Sequence, residues 1–380
     1  MNFFIKGLLY ISPIFSSFIA PNEIIINTWW GPKVQTLYAE HYIEPGSAYA
    51  DVLKCDAINR LQELNQYGIM NYIRPTYRPY NRYQHSIGVA ELLHRFGASE
   101  KEVIAGLTHD ASHGAFSHAL DHLGKQNSTN QLDEAYQDTH HSTILSKTDL
   151  VPCLKKHNFS LLDIDPKNGC FPMLEQNLPD ICADRLEYVL YGGYAEGWFT
   201  KKDITFILNG LRYSNGRWYF VEIAPAKKFA LMSIKLCDEI FTSIQNNCSY
   251  SAVAQAMMRA TEIGAISFND ILYMKDDEML QILLAHYDDE IARHMHTIFN
   301  IDGLYELSDS QDCSLECTNK FRGINPWILT QDEIFMRLTD IDDEFKGIYE
   351  KKKRKISCKQ YYKLDPAMRS FKKEHAITYS

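Results

Sequence analysis

Eight of the fourteen histidines in this 380-residue chain fall in one short stretch: His85, His94, His109, His113, His118, His122, His140 and His141. Scattered surface histidines do not concentrate in this way, so the stretch has a chemical cause. Its sharpest element is His109-Asp110. The pair ends a segment whose Val103, Ile104 and Leu107 share one helical face, so both side chains are drawn toward a core. A carboxylate in that position is costly unless it is paired or bound to a cation. Both side chains are short enough to ligate a metal at about 2.0–2.2 Å. His85 upstream adds a second imidazole. Asp184, beside the apolar stripe of Ile181, Val189 and Leu190, offers a second carboxylate. Two nitrogens and two oxygens suit one divalent ion, Mn, Fe, Zn or Mg, without choosing among them. The spacing His109-Asp-Ala-Ser-His113 also matches the i, i+4 pair of a zinc-peptidase helix. That motif needs Glu in second place as general base, and Gly114 ends the helix too early for it.

The elements that must position these residues read as mainly helical. Apolar spacing predicts a helix over 57–67 stopped by Gly68, and an irregular Pro/Tyr/Arg-rich loop over 69–83. Ser86 is expected to cap a helix striped by Val89, Ala90, Leu93 and Phe96, with Gly97 after it. A second helix covers Glu100 to His109, and the His113–His118 segment breaks it. A third runs from about Leu178 to Tyr191 and ends at Gly192-Gly193. Residues 212–221 form a β-hairpin, because Asn215-Gly216 supplies two residues that tolerate positive φ. Amphipathic helices follow at about 226–246, 251–262 and 276–298, then a polar stretch over 303–320 and a mixed tail. The organisation expected is an N-terminal apolar extension (1–35), a helical domain (36–300) and a short α+β C-terminal region (301–380).

Composition narrows the class. Apolar residues make up 45% and charged residues 23%, as in ordinary globular chains. A net charge of −9 argues against a non-specific duplex-DNA binder, which needs a broad basic face. The nine cysteines are odd in number and include no CxxC; Cys313 and Cys317 have no matching second pair for a zinc site. That usage fits a reducing compartment, and a cytoplasmic location is expected. Residues 7–20 carry no charge and are long enough for the core of a signal peptide, so export through residues 1–20 is the alternative. Pro13, Phe18 and Pro21 oppose cleavage there. No apolar stretch is long enough for a transmembrane span. The run Lys351–Lys355 reads as a solvated helix end balanced by the acidic stretch before it.

Three segments taken in order carry a resemblance. Asn81-Arg-Tyr-Gln-His-Ser-Ile-Gly-Val89, then Ala105-Gly-Leu-Thr-His-Asp-Ala-Ser-His-Gly-Ala-Phe-Ser-His118, then Ala183-Asp-Arg-Leu-Glu-Tyr188, resemble the HD superfamily of metal-dependent phosphohydrolases. The nearest branch is that of the deoxynucleoside triphosphate triphosphohydrolases. Asp56 to Gly68 resembles the family's first helix, and Asn319 to Asp343 its C-terminal region, so the likeness extends over roughly 40–360. It implies an all-α HD core, beside the small β-hairpin read from residues 212–221, and one metal held by His85, His109, Asp110 and Asp184. It also implies a polar ring for chemistry at His113, His118, Asp121 and His141, with His140 adjacent to His141 and of the same type. Arg82 and Arg185 would neutralise phosphate charge, while Gln66 and Tyr188 match positions that touch the nucleotide's sugar.

The function expected is hydrolysis of a phosphate ester or anhydride, with a nucleotide favoured as the phosphorylated small-molecule substrate. The alternative is a metal- and nucleotide-binding sensor without turnover. The chain departs from the triphosphohydrolases after Tyr188: Val189-Leu190-Tyr191-Gly192 replaces the charged residues that hold the sugar 3′ hydroxyl. Lys228 to Lys235 likewise lacks the basic-aromatic pattern that contacts the triphosphate. By analogy with similar proteins, a homo-oligomer is expected.

Overall fold

The structure is a computed structural model that describes residues 25–28, 31–120, 136–167 and 171–364. The expected export signal at 1–20 and the expected Asp121 lie outside the described residues.

A three-stranded antiparallel sheet comes first: β1 (Ile25–Thr28), β2 (Gly31–Gln35) and β3 (Glu40–Tyr42). Three short helices follow, α1 (Ala48–Val52), α2 (Asp56–Asn59) and α3 (Met70–Ile73). The site is built on α4 (Arg82–Arg95), α5 (Glu100–Thr108) and, further on, α9 (Ala183–Ala195). Between them lie α6 (Tyr136–Thr139), α7 (His141–Leu145) and α8 (Leu150–Lys156). Then come α10 (Lys201–Gly210), the hairpin β4 (Leu211–Ser214) and β5 (Arg217–Phe220), α11 (Ile223–Leu236) and α12 (Ile244–Glu262). The helical part closes with α13 (Phe268–Tyr273), α14 (Asp276–Ala285) and α15 (Asp289–Phe299). The last segment contributes β6 (Tyr305–Ser308), β7 (Leu315–Cys317), β8 (Trp327–Leu329), β9 (Phe335–Arg337), α16 (Leu338–Ile341), α17 (Asp343–Ser357) and β10 (Gln360–Leu364).

The fold is mainly α with small sheets. The hairpin forms as the sequence predicts, with Asn215 at φ 49° and Gly216 at φ 74°. Its second strand pairs in parallel with β8, which pairs with β9. The chain's last segment therefore completes a four-stranded sheet begun a hundred residues earlier. The polar stretch 303–320 supplies β6 and β7, which flank β10.

Several boundaries differ from the periodicity reading, each for a local reason. Helix α4 starts four residues before Ser86. Asn81 accepts the Gln84 N–H and the Gln84 side chain accepts the Asn81 N–H, a closed capping box. Helix α9 begins after Pro179 and runs through Gly192-Gly193. These glycines are there for packing: a Cβ on Gly193 would lie 2.9 Å from Phe199, and one on Gly192 3.1 Å from the Tyr67 hydroxyl. The predicted helix 57–67 is α2 plus a 3₁₀ turn (Arg60–Glu63), cut short because the Asn65 backbone turns to bond Asp276. The segment 276–298 is two helices, parted where Asp288 caps α15.

One continuous apolar core joins α4, α5 and α9 to the C-terminal Ile328, Leu338 and Phe345. Among the described residues, no helix is long and apolar enough to cross a membrane. The cysteines described there are unpaired by disulfides.

Candidate metal centre and active site

Helix α4 is buried on nearly every side. Its apolar Ile87, Val89, Leu92 and Leu93 face the core, and its polar Arg82, Gln84, His85 and Glu91 are buried too. Helix α5 lies against it, and Gly106 permits the approach: a Cβ there would stand 2.4 Å from Leu93. His109 caps the end of α5, and Asp184 sits in the first turn of α9.

Four side chains from these three elements converge. His85 Nε2 is 3.2 Å from His109 Nε2 and 3.0 Å from Asp184 Oδ1. His109 Nε2 is 3.7 Å from the same Asp184 oxygen. Asp110 closes the group, with its oxygens 3.4 Å from His109 Nε2 and 3.7 Å from His85 Nε2. Each imidazole is tied at its other nitrogen. His109 Nδ1 bonds the Gly106 carbonyl at 2.7 Å, and His85 Nδ1 bonds the buried Glu187 carboxylate. Two Nε2 atoms thus face each other across a space rimmed by carboxylate oxygens. Neutral imidazoles in that arrangement would present two lone pairs to one point, which fits a cation between them.

The electrostatics point the same way. Burial would lower the proton affinity of His85, but Glu187 and Asp184 outweigh it and push its pKa up to about 10. Burial would raise Asp184, yet His109 and His85 hold its carboxyl far below the ordinary range. Asp110 is held low against burial by Arg82, His109 and His113. The cluster attracts positive charge, whether proton or metal.

The residues around this group fall into two sets. Arg82 is buried, with Nη1 2.5 Å from Asp110 Oδ2 and Nε donating to Ser117 Oγ at 2.8 Å. His113 Nε2 lies 3.1 Å from Asp110 Oδ1. Burial first, and the Arg82 charge second, push the His113 pKa down to about 4, so the ring is neutral and donates to Asp110. His118 is exposed, its ring edge-on to His113 at 5.4 Å between centroids.

On the other side, His109 opens into a cavity of about 680 Å³. Its wall includes His141, Asp165, Lys167, Phe171 and Glu175. His141 is buried and bonds Ser112 Oγ through Nδ1 at 2.9 Å, whereas the adjacent His140 stacks on Tyr136 away from this wall. Gln66, Arg185 and Tyr188 sit off the wall. Arg185 Nη1 donates to the Asp180 carbonyl at 3.2 Å, and the Tyr188 ring packs edge-on to Phe241.

The structure adds one group that the motif reading did not single out. Glu187 accepts hydrogen bonds from Tyr38 (3.0 Å) and Tyr80 (2.7 Å) as well as meeting His85. Its signal was present: it follows Asp184 by three residues, on the same face of a helix.

A mainly helical fold with paired His and Asp donors from three helices defines a class, the HD fold with a divalent-metal centre. The comparisons agree. Residues 82–167 match the HD domain family. An uncharacterized protein, YdhJ, of Bacillus subtilis is 27% identical over 86% of this chain and 97% of its own length. The metal-dependent phosphohydrolase cns2 of Cordyceps militaris is 32% identical over 46% of this chain and 49% of its own. The crystal structure of a phosphohydrolase from Bacteroides thetaiotaomicron superposes with a TM-score of 0.63 at 15% identity, over 90% of this chain and 99% of that one. The chain thus carries an HD domain over residues 82–167 and resembles metal-dependent phosphohydrolases.

Proposed function

We propose that the protein hydrolyses a phosphate ester or anhydride of a nucleotide at a single divalent metal held by His85, His109, Asp110 and Asp184. The observation that carries this reading is the convergence of two tied imidazoles and two carboxylates beside an open cavity. The metal, when bound, would supply Lewis acidity toward a phosphoryl oxygen and an acidified water.

The chain's own residues do the rest. Glu187 holds the His85 ring, and Arg82 and His113 hold the Asp110 carboxylate, so the donors are set before substrate arrives. His141 stands on the cavity wall, where an imidazole protonates a leaving oxygen. His118, whose ring lies against His113, is the second acid or base, and the resemblance gives Asp121 the role of orienting it. Neutral His113 serves as a support for Asp110. Arg185 and Lys167 supply positive charge near the cavity, and Gln66 and Tyr188 are the candidates for sugar contacts. A volume of about 680 Å³ accommodates a ligand of nucleotide size.

The test is a substrate panel on the Mn²⁺-loaded protein: dNTPs, NTPs, nucleoside monophosphates and p-nitrophenyl phosphate, with products separated by anion-exchange chromatography. The reading expects turnover of at least one nucleotide. Asp110→Ala combined with His109→Ala should lower that turnover at least about 100-fold and abolish metal retention. Full turnover in a metal-free double variant would refute the proposal, and turnover of p-nitrophenyl phosphate alone would remove the nucleotide from it.

A further inference from the structure

The turn that carries His113 and His118 is unusual in its backbone. Phe116 and Ser117 both adopt left-handed conformations, with φ of 57° and 56°. Two successive non-glycine residues in that region persist only where the surroundings over-determine them. Here the surroundings are explicit. The turn is boxed sterically: a Cβ on Gly114 would lie 2.4 Å from the Ile271 carbonyl oxygen, and one on Gly68 2.7 Å from that of Phe116. Gln137 bridges Gly114 N–H and the Ser117 carbonyl, while Arg60 donates to the His113 carbonyl at 2.5 Å.

One side chain grips the strained pair from both ends. Asp276, the first residue of α14, is fully buried. Its Oδ1 accepts the Phe116 N–H at 2.7 Å. Its Oδ2 accepts the Asn65 backbone N–H at 2.8 Å and the Asn65 side-chain amide at 3.1 Å. The Asn65 carbonyl in turn accepts the Ser117 hydroxyl at 2.9 Å, and Ser117 Oγ accepts Arg82 Nε at 2.8 Å. Arg82 then meets Asp110. Asp276 thus fixes both the residue before Ser117 and the acceptor of its hydroxyl, and Ser117 directs the guanidinium beside a metal-facing carboxylate.

We propose that Asp276 is a positioning residue of the phosphohydrolase centre, aligning Arg82 with Asp110 through Ser117. The proposal rests on the functional reading above. The charge balance supports it. Burial pushes the Asp276 carboxyl up to about 6 against the hydrogen bonds it accepts, so a buried acid is retained here where a less costly group could close a simple turn. Only a carboxylate offers two acceptor oxygens to donors on opposite sides; an amide would set its NH₂ against one of them.

The test uses the full chain loaded with Mn²⁺ and p-nitrophenyl phosphate together with whichever nucleotide the wild type turns over. Asp276→Asn breaks the grip at its source. Ser117→Ala cuts the same chain one link nearer Arg82 and leaves the Asp276 hydrogen bonds in place. Each is expected to lower kcat about tenfold or more with unchanged Mn²⁺ stoichiometry, and the double variant should lose no more than the worse single, because both act through Arg82. Amide exchange at Phe116 should quicken in Asp276→Asn only. Should that variant not fold, Asn65→Ala replaces it in the cycle, since it removes one donor to Asp276 and leaves the charge. Unchanged kcat in Ser117→Ala, or losses that multiply in the double variant, would overturn the proposal while leaving the hydrolase reading intact. A wild type that binds Mn²⁺ but hydrolyses no phosphate substrate would overturn that reading and this proposal with it.

Discussion

Glu187 decides how His85 presents itself. Its carboxylate meets His85 Nδ1 and accepts Tyr38 and Tyr80, all in buried surroundings. That contact sets the tautomer that leaves Nε2 toward Asp184. Outer partners of this kind are worth about 10–100-fold in metal affinity. Glu187→Gln is therefore expected to weaken Mn²⁺ binding by about that factor, measured by calorimetric titration, with little change in far-UV circular dichroism. The same residue makes metal binding depend on pH. A His85 pKa raised to about 10 means that the metal must displace a proton near neutrality. Apparent affinity should rise as pH rises from 6 to 8, and the binding enthalpy should depend on the buffer's ionisation enthalpy. An affinity that is flat over this range would show that His85 is already neutral.

At the scale of elements, glycines set how closely the site-bearing helices approach. Gly88 faces Glu187 across the α4–α9 contact, and a Cβ there would fall 2.6 Å from Glu187 Oε1 and 2.9 Å from the Tyr38 ring. Gly88→Ala should destabilise the protein by about 1–3 kcal/mol in urea unfolding and weaken metal retention, because it displaces the carboxylate whose other oxygen, Oε2, meets His85. Gly347 in α17 is the contrast. Its added Cβ meets nothing, so Gly347→Ala should stabilise by about 0.5–1 kcal/mol. Asn81 caps α4 and so sets the phase of His85. Asn81→Ala should cost about 1 kcal/mol, read as a lower midpoint in the same measurement.

The whole molecule answers to pH through Asp276. Its folded pKa is raised to about 6 from an ordinary value of 3.8. A raised carboxyl means that the folded state holds a proton that the unfolded chain has lost. Its contribution is thus fully present below pH 3.8 and is lost as pH rises through about 6. The shift corresponds to about 3 kcal/mol. The stability of the wild type relative to Asp276→Asn should fall by about that much between pH 4 and pH 7.5, measured by urea unfolding. The C-terminal segment also belongs to the common core. Ile324, Ile328, Leu338, Phe345 and Tyr349 are all buried there. At about 1.5–3 kcal/mol for each large side chain, their loss approaches the total stability of an ordinary domain. A chain ending at Lys320 is expected to show no cooperative thermal transition by calorimetry.

Much of the candidate site was legible as sequence because the residues proposed for it are encoded locally. His109 and Asp110 are adjacent, His85 and Arg82 share a helical turn, and the Asn-Gly turn dictates its own hairpin. Helix existence followed from apolar spacing, whereas helix ends depended on partners that spacing does not show. Asn81 rather than Ser86 starts α4 because Gln84 completes the box, and Gly192-Gly193 continues α9 because Phe199, Met232 and Tyr67 need the room. The ordered HD motifs by themselves determined the class of chemistry, since imidazoles and carboxylates in that set suit a divalent metal. Only the tertiary structure decided which groups support the proposed ligands. Glu187 and Asp276 lie 102 residues from His85 and 160 from Phe116. The spacing from Asp184 puts Glu187 on the site-facing side of its helix. Which groups it and Asp276 meet over such separations leaves no local pattern, because those buried contacts exist only after the core has excluded water.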